Sequence, residues 1–413
     1  MQGFPSLSKK GIRTAARVLL EDSIRDGVLR VSRSFNCSFS MLYIMSMTGT
    51  KIEALIKQEA LRIGFHLVGI CSVEEGETVP FLETWLKNNF HGEMKYMENP
   101  KRSMPHSVLP SIRTMVVVGL NYRWPEGTIP EQEGMISKYA WSADYHKILK
   151  PMLEELAGFI DQVSSDPSAR AYVDTGPIVE KHWAQKAGLG WIGKHTNVLH
   201  QQGSSWFFLG IILTGLELEP DAPAEDHCGT CSQCIEACPT RAIVQPYVLD
   251  ARLCISYLTI ELRESIPREL RSLIGNRIFG CDDCQDVCPW NRFAYAGDPR
   301  FNPGPEVLAA RLRDYLRMTA DEFRTRFAQT NVLRAKHRGF LRNCLVAAGN
   351  AKNSELRSEI EQHLKSDDEM IREHAVWALA QFGDAESRDR LQQVRREETS
   401  SAVLEELNHW LGC

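Results

Sequence analysis

The chain lacks any run of apolar residues long enough to span a bilayer; the nearest, Phe39 to Met47, is short and interrupted by serines. No membrane role is expected on that pattern. A large charge of one sign is also missing. The net charge is -5, so any RNA or DNA contact has to come from local basic patches rather than from the whole surface. What the chain does have is cysteine, 12 in 413 residues. In a small secreted domain that would mean disulfides. Here eight of the twelve fall in a metal-ligand pattern, which points to a reducing, cytoplasmic setting. Cys37, Cys71, Cys344 and Cys413 are left over as free or buried thiols. A hydrophobic share of 43% and a length of 413 residues describe an ordinary globular protein of two or three domains.

The ligand pattern lies in two runs. The first is Cys228-Gly-Thr-Cys231-Ser-Gln-Cys234-Ile-Glu-Ala-Cys238-Pro239, the spacing of bacterial ferredoxins. The second, Cys281-Asp-Asp-Cys284-Gln-Asp-Val-Cys288-Pro289, lacks one ligand, because Ile278 stands where a full copy has cysteine. Two cubanes need about eight thiolates; the runs supply seven, and Cys254 lies between them. In such runs the fourth cysteine crosses to the other cluster. The expected sets are therefore Cys228, Cys231, Cys234 and Cys288 on one 4Fe-4S cluster, and Cys238, Cys254, Cys281 and Cys284 on the other. The alternative is structural zinc, since Cys-x-x-Cys pairs also build zinc ribbons; the Cys-x3-Cys-Pro endings argue against it.

Residues 1–46 carry Lys9, Lys10, Arg13 and Arg17 with few early acids, as a transit peptide would. Their periodicity connects to nothing downstream, so an unstructured extension, or an upstream start codon read as coding, is the simpler expectation. From 47 to 224 helical and strand patterns alternate: helices over Ile52–Ile63, Phe81–Phe90 and Tyr145–Val163, and strands at Val68–Ser72, Met115–Leu120, Ala171–Val173 and Trp206–Thr214. That predicts an α/β domain. Residues 225–296 form the ferredoxin-like segment. Residues 297–413 are helical, with a charged stretch over Arg311–Phe327 and a repeat in which Leu341–Gly349 resembles Ile371–Leu379, thirty residues on. Ala402–Trp410 starts a degenerate third copy. Small residues among aliphatics suit stacked helices of the HEAT type; an ordinary helical hairpin is the alternative.

The segments Ala171-Tyr-Val-Asp174-Thr-Gly-Pro-Ile and Gly188-Leu-Gly-Trp191-Ile-Gly-Lys194-His195-Thr-Asn197 precede the first cysteine run, and Cys254-Ile-Ser-Tyr-Leu-Thr-Ile-Glu261 follows it. In that order the chain resembles the epoxyqueuosine reductases, over roughly residues 50 to 413. The resemblance implies an α/β cobalamin-binding domain, two 4Fe-4S clusters and a kinship with reductive dehalogenases. It also implies the reduction of epoxyqueuosine to queuosine at the wobble position of a tRNA with a GUN anticodon. An external donor of flavodoxin or ferredoxin type would feed electrons to a monomeric enzyme. The chain departs from the family at Ile211, where an acid is frequent, and in its N-terminal extension. It has no Asp-x-His-x-x-Gly motif, so no histidine is expected to replace cobalamin's lower base.

Removing the epoxide oxygen takes two electrons, two protons and an acid near the oxygen. Asp174, after a buried strand and before Gly176-Pro177, matches the family's proton donor; burial is expected to raise its pKa. The alternative is a helix cap or turn aspartate. For cobalamin the resemblance points to Tyr145, His146, Trp191, Lys194, His195, Asn197, Ser256 and Tyr257. For tRNA the candidates are Arg334, Lys336, Arg338 and Arg342 at the start of the repeat, with Arg263 and its neighbours Arg268, Arg271 and Arg277 after Cys254; a solvated helix face paired with Glu261, Glu264 and Glu269 is the alternative. Two other functions share part of the pattern: a small-molecule corrinoid reductase of the dehalogenase type, and a ferredoxin-like electron-transfer module.

Overall fold

The computed structural model describes residues 51–124, 133–164, 167–304 and 311–412. The extension expected over 1–46, with Cys37, and Cys413 at the other end lie outside them. From Lys51 onward the chain is one compact unit.

Four strands form the first sheet: β1 (Leu67–Ser72), β2 (Thr114–Asn121), β3 (Arg170–Tyr172) and β4 (Phe207–Thr214). Their order is β1-β2-β4-β3 and every pairing is antiparallel. β2 is buried at all eight positions, which is why Met115–Leu120 reads as an unbroken apolar run rather than an alternating one. Helices cover both faces. α1 (Ile52–Ile63) and α2 (Tyr145–Val163) pack on one, and α3 (Glu180–Lys186) on the other. α1 stops at Gly64, whose φ of 109° turns the chain left-handed. α2 starts where the Asp144 carboxylate accepts the His146 backbone N–H at 3.0 Å. Leu149, Leu153, Leu156 and Ile160 of α2 are wholly buried, each worth about 1.5–3 kcal/mol. Gly210 of β4 admits this helix, since a Cβ there would lie 2.6 Å from Leu153 Cδ1. Ile211, on the opposite face, packs in the core with Met115, Val117 and Trp183; the family's acid position is here a packing position.

The cysteine segment carries four short helices, of which α4 (Gln233–Ala237), α5 (Ile255–Ile260) and α6 (Asp283–Asp286) hold or follow cysteines and the other is Arg268–Ile274. The strand Arg277–Phe279 pairs in parallel with Met135–Ile136, which ties this segment to the one before it. The C-terminal helices α7 (Lys336–Ala351), α8 (Glu369–Ala380) and α9 (Ser401–Leu411) stack in order, as the thirty-residue offset predicts. Gly349 explains the small residues: a Cβ there would sit 2.6 Å from Trp377 and 2.8 Å from Ala378. The charged stretch over 311–327 is two helices, Leu312–Arg317 and Ala320–Arg326. Thr319 restarts the chain between them in a capping box with Glu322. One continuous core runs from Ile136 through Ile255, Leu258 and Phe279 to Val376 and Leu407, so the cysteine segment and the repeat are packed as one body.

Candidate active site

Cys228, Cys231, Cys234 and Cys288 line a single cavity of about 220 Å³. The turn at Gly229 (φ 52°) and α4 bring the first three together, and the 3-10 turn after Cys288 brings the fourth. Burial and then the neighbouring thiols push Cys234 up to about 11. The other four cysteines feel one another in the same way: Cys254 is raised by burial and by Cys238, and Cys281 by burial and, among others, Cys254. Cys284 is driven up by burial, Cys254 and Cys281. The chain thus brings the first expected set to one cavity, and the thiols of the second are close enough to influence one another. Among the described residues no three His, Cys, Asp or Glu side chains converge as they would on one metal ion. Four thiols lining one open cavity fit the ligand set of a cubane.

Cys254 also lines the second of two larger chambers. One, of about 790 Å³, is bounded by Asp144, Tyr145, His146, Asp174, Arg102 and Arg334 among others. The next, of about 500 Å³, is bounded by Lys181, Asn197, Phe207, Phe208, Cys254, Ser256, Tyr257 and Gln285 among others. Tyr96, Tyr139, Tyr145, Asp174, Ile260 and Glu261 belong to both. Single small-molecule sites run to about 300–1,000 Å³; the joined space exceeds that, as a macrocycle and a nucleotide side by side require. Its lining suits a corrinoid: a flat aromatic wall, where Tyr145 stacks on Phe208 at 4.2 Å, and amide and hydroxyl groups for the ring's edges.

Asp174 stands on the shared wall. Its backbone has φ 52°, and Thr175 N–H bonds the carbonyl of Val173 at 2.5 Å, a tight turn that costs about 1–3 kcal/mol in a residue other than glycine. Gly176 must follow, because a Cβ there would strike the Tyr172 ring. The α3 helix begins only at Glu180, after Val179, so Asp174 does not cap it. Tyr145 Oη donates to Asp174 Oδ2 at 2.9 Å, and His146 Nε2 lies 3.6 Å from the same oxygen. One expectation is corrected here. The Asp174 side chain is largely exposed; what desolvation it suffers works to raise the carboxyl, but the nearby His146 imidazole and the Tyr145 hydrogen bond outweigh it and hold the pKa below its ordinary value. The proton rests nearby instead. Burial opposes a charge on His146, but Asp144 and Asp174 overcome it and carry the imidazole up to about 9. Glu180, whose Oε1 accepts the Asp174 N–H at 2.6 Å, is pushed up to about 8 by burial and by Asp174.

Of the residues assigned to cobalamin, Tyr145, Asn197, Ser256 and Tyr257 line the second chamber and His146 the first. Trp191, Lys194 and His195 do not, and they are corrected. Lys194 and His195 line the cysteine cavity. Lys194 Nζ donates to the carbonyls of Gly229 and Cys231 at 2.6 and 2.8 Å, and Trp191 packs on Cys288. The Gly-rich turn that brings them in serves the cysteine loop. Arg342 is corrected as well. It is 0% exposed and spends its donors on backbone carbonyls of the Cys254 segment. Arg271 is buried against Glu373 and Glu406, Arg268 pairs with Glu406, and Arg277 pairs with Asp283. Arg263 is tied to the carbonyls of Ile260 and Ala335. Arg334, Lys336 and Arg338 are exposed; Arg334 pairs with Glu261 at the chamber wall and Arg338 with Asp368. Glu180, Lys181 and Tyr96 escaped the sequence. The first two had a signal, an acid and a base opening the helix just after the Asp174 turn; Tyr96 had none.

A family model described as epoxyqueuosine reductase QueG matches residues 102–175, one described as a 4Fe-4S double cluster binding domain matches 227–291, and one for HEAT repeats matches 330–410. The epoxyqueuosine reductase of Cellulophaga algicola is 46% identical over 300 residues, spanning 72% of this chain and 98% of its own. That of Pseudomonas aeruginosa is 42% identical over 345 residues, spanning 81% and 95%, and that of Escherichia coli 40% over 334 residues, spanning 79% and 88%. A crystal structure of epoxyqueuosine reductase with an epoxyqueuosine-modified tRNA-Tyr stem loop superposes with a TM-score of 0.79 at 27% identity, covering 87% of this chain and 98% of that one. A Bacillus subtilis epoxyqueuosine reductase whose catalytic aspartate loop is swung out of the active site superposes with the same score, identity and coverage. The chain belongs to the epoxyqueuosine reductase family.

Proposed function

We propose that this enzyme reduces epoxyqueuosine to queuosine at the wobble position of a tRNA with a GUN anticodon, releasing the epoxide oxygen as water. The observation that carries the reading is the position of Asp174: its carboxylate stands on the wall common to two chambers, one of which is also lined by Cys254. An acid and an electron source thus meet at one cavity. A bare electron carrier has no use for such a cavity.

In this reading Cys228, Cys231, Cys234 and Cys288 hold one cubane, and Cys238, Cys254, Cys281 and Cys284 the other. Tyr145, Asn197, Ser256 and Tyr257 of the 500 Å³ chamber would hold the corrin ring of cobalamin, with Lys181, whose Nζ donates to Asn197 Oδ1 at 2.8 Å, at its edge. When bound it supplies a low-potential cobalt centre for the carbon–oxygen chemistry that neither cubane performs. The nucleoside enters the 790 Å³ chamber as a base flipped from the anticodon loop. Arg334, Lys336 and Arg338, which are exposed, hold the phosphates outside. Asp174, ionised at rest, takes a proton from His146 Nε2, 3.6 Å away, and passes it to the departing oxygen, while Tyr145 Oη keeps the carboxylate aimed; solvent recharges His146, and a second proton by the same path completes the water. The relative whose catalytic aspartate loop is swung out of its active site supports giving this task to Asp174. The enzyme works as a cytoplasmic monomer, with a flavodoxin or ferredoxin as donor.

The test is anaerobic incubation of the iron- and cobalamin-loaded protein with an epoxyqueuosine-modified stem loop and a reductant, followed by nucleoside analysis. Queuosine is expected. Asp174→Asn keeps both cofactor spectra and lowers turnover about 10²–10⁴-fold. Fully loaded protein that yields no queuosine overturns the proposal, and a fully active Asp174→Asn removes Asp174 as the donor.

A further inference from the structure

Two N–H groups at the first cysteine cavity are sealed from solvent with no protein acceptor. His195 is 3% exposed and Trp191 1%. His195 Nδ1 accepts the backbone N–H of Asn197 at 3.1 Å, so a proton sits on Nε2 whether the ring is neutral or charged. Nε2 has no partner, and neither has Trp191 Nε1. An unpaired buried donor costs about 1–3 kcal/mol, and native folds rarely keep two at one place. The missing acceptors have an obvious location. The His195 ring lines the 220 Å³ cavity together with Cys228, Cys231, Cys234 and Cys288. Trp191 packs against Cys288, with Cys228 beside it.

Sulfurs of an iron–sulfur cluster accept hydrogen bonds, and each such bond stabilises the reduced, more negative state. We infer that His195 Nε2–H and Trp191 Nε1–H donate to sulfurs of the first cluster and raise its reduction potential. This rests on the ligand set proposed above. It makes the first cluster easier to fill with an electron from an outside donor than it would be without these two donors. That suits its place, since Cys254 of the second set, and none of the first, lines the chamber where the reaction is proposed. Neither side chain gains or loses a proton in the process.

The test is an EPR-monitored redox titration, with mediators and dithionite, of the full-length chain purified without oxygen, alongside iron and sulfide analysis. His195→Leu is expected to lower the midpoint of one cluster, leave the other unmoved and keep the iron content. His195→Gln, which retains an amide N–H, restores most of the shift. Trp191→Phe lowers the same midpoint and carries the test if His195→Leu fails to load iron. Parent protein with a full iron count whose midpoints are unchanged in both variants overturns the inference alone. Parent protein that holds zinc or no iron overturns the ligand set and the inference together.

Discussion

Arg342→Leu asks whether the basic residues at the start of α7 serve RNA or the fold. The Arg342 side chain has no exposed surface. Its guanidinium donates to the carbonyls of Leu258 (2.6 Å), Leu262 (3.0 Å) and Glu264 (2.5 Å) and to Asn343 Oδ1 (2.9 Å). It therefore clamps the end of α5 and the loop behind it to the first repeat helix. Leucine fills much of the same volume but leaves three carbonyls without a donor, at about 1–3 kcal/mol each. Relief of the guanidinium's own desolvation, which works against its charge, offsets part of that loss. A net cost of about 3–5 kcal/mol follows from that balance. That is a large share of the 5–15 kcal/mol by which domains are typically stable. The assays are urea unfolding followed by circular dichroism, and stem-loop binding by fluorescence anisotropy at several salt concentrations. The unfolding midpoint should fall while affinity and its salt dependence hold. A phosphate contact gives the opposite pattern: a salt slope smaller by about 1 and stability within about 0.5 kcal/mol of the parent. That outcome refutes the structural role.

Cys254→Ala should remove one cluster's iron and one EPR signal while the other survives; a full iron count in the variant would break the ligand assignment. His146→Gln should change the pH profile of turnover. The His146 pKa in the fold, about 9, lies above its ordinary 6.5, so the stability it adds is complete below about pH 6.5 and is lost as pH rises through about 9. Parent turnover should decline over that same upper limb as the proton store empties. The variant should be slower and lack the limb, and an unaltered profile would exclude His146 from the proton path.

Much of this was legible because the signals were local. The apolar stripe of α2 gave its ends to the residue, since Asp144 caps it and its buried side chains repeat at helical spacing. The cysteine spacing anticipated which four thiols ring the first cavity, because short loops around a cubane tolerate few other arrangements. What failed was partner choice across long separations. Lys194 looks like a free cation in a Gly-rich turn, but carbonyls 35 and 37 residues away claim it. Arg342 looks like surface charge, yet its acceptors lie 78 to 84 residues back. The Asp174 pKa was misjudged for a related reason. Burial was foreseen, but the opposing donors Tyr145 and His146 come from a helix 28 and 29 residues earlier, and nothing in the sequence says which effect wins.

The parallel pairing of Arg277–Phe279 with Met135–Ile136 bears on how such an enzyme is assembled. The stretch that looks like a portable ferredoxin cassette donates a strand to one neighbour and ten buried side chains, Ala251 to Phe279, to a core shared with the other. Excised at its linkers, it would expose an unpaired edge and a raw apolar face. Iron loading and chain folding are therefore expected to be coupled: loss of a cluster would loosen the core on which α7, α8 and α9 pack.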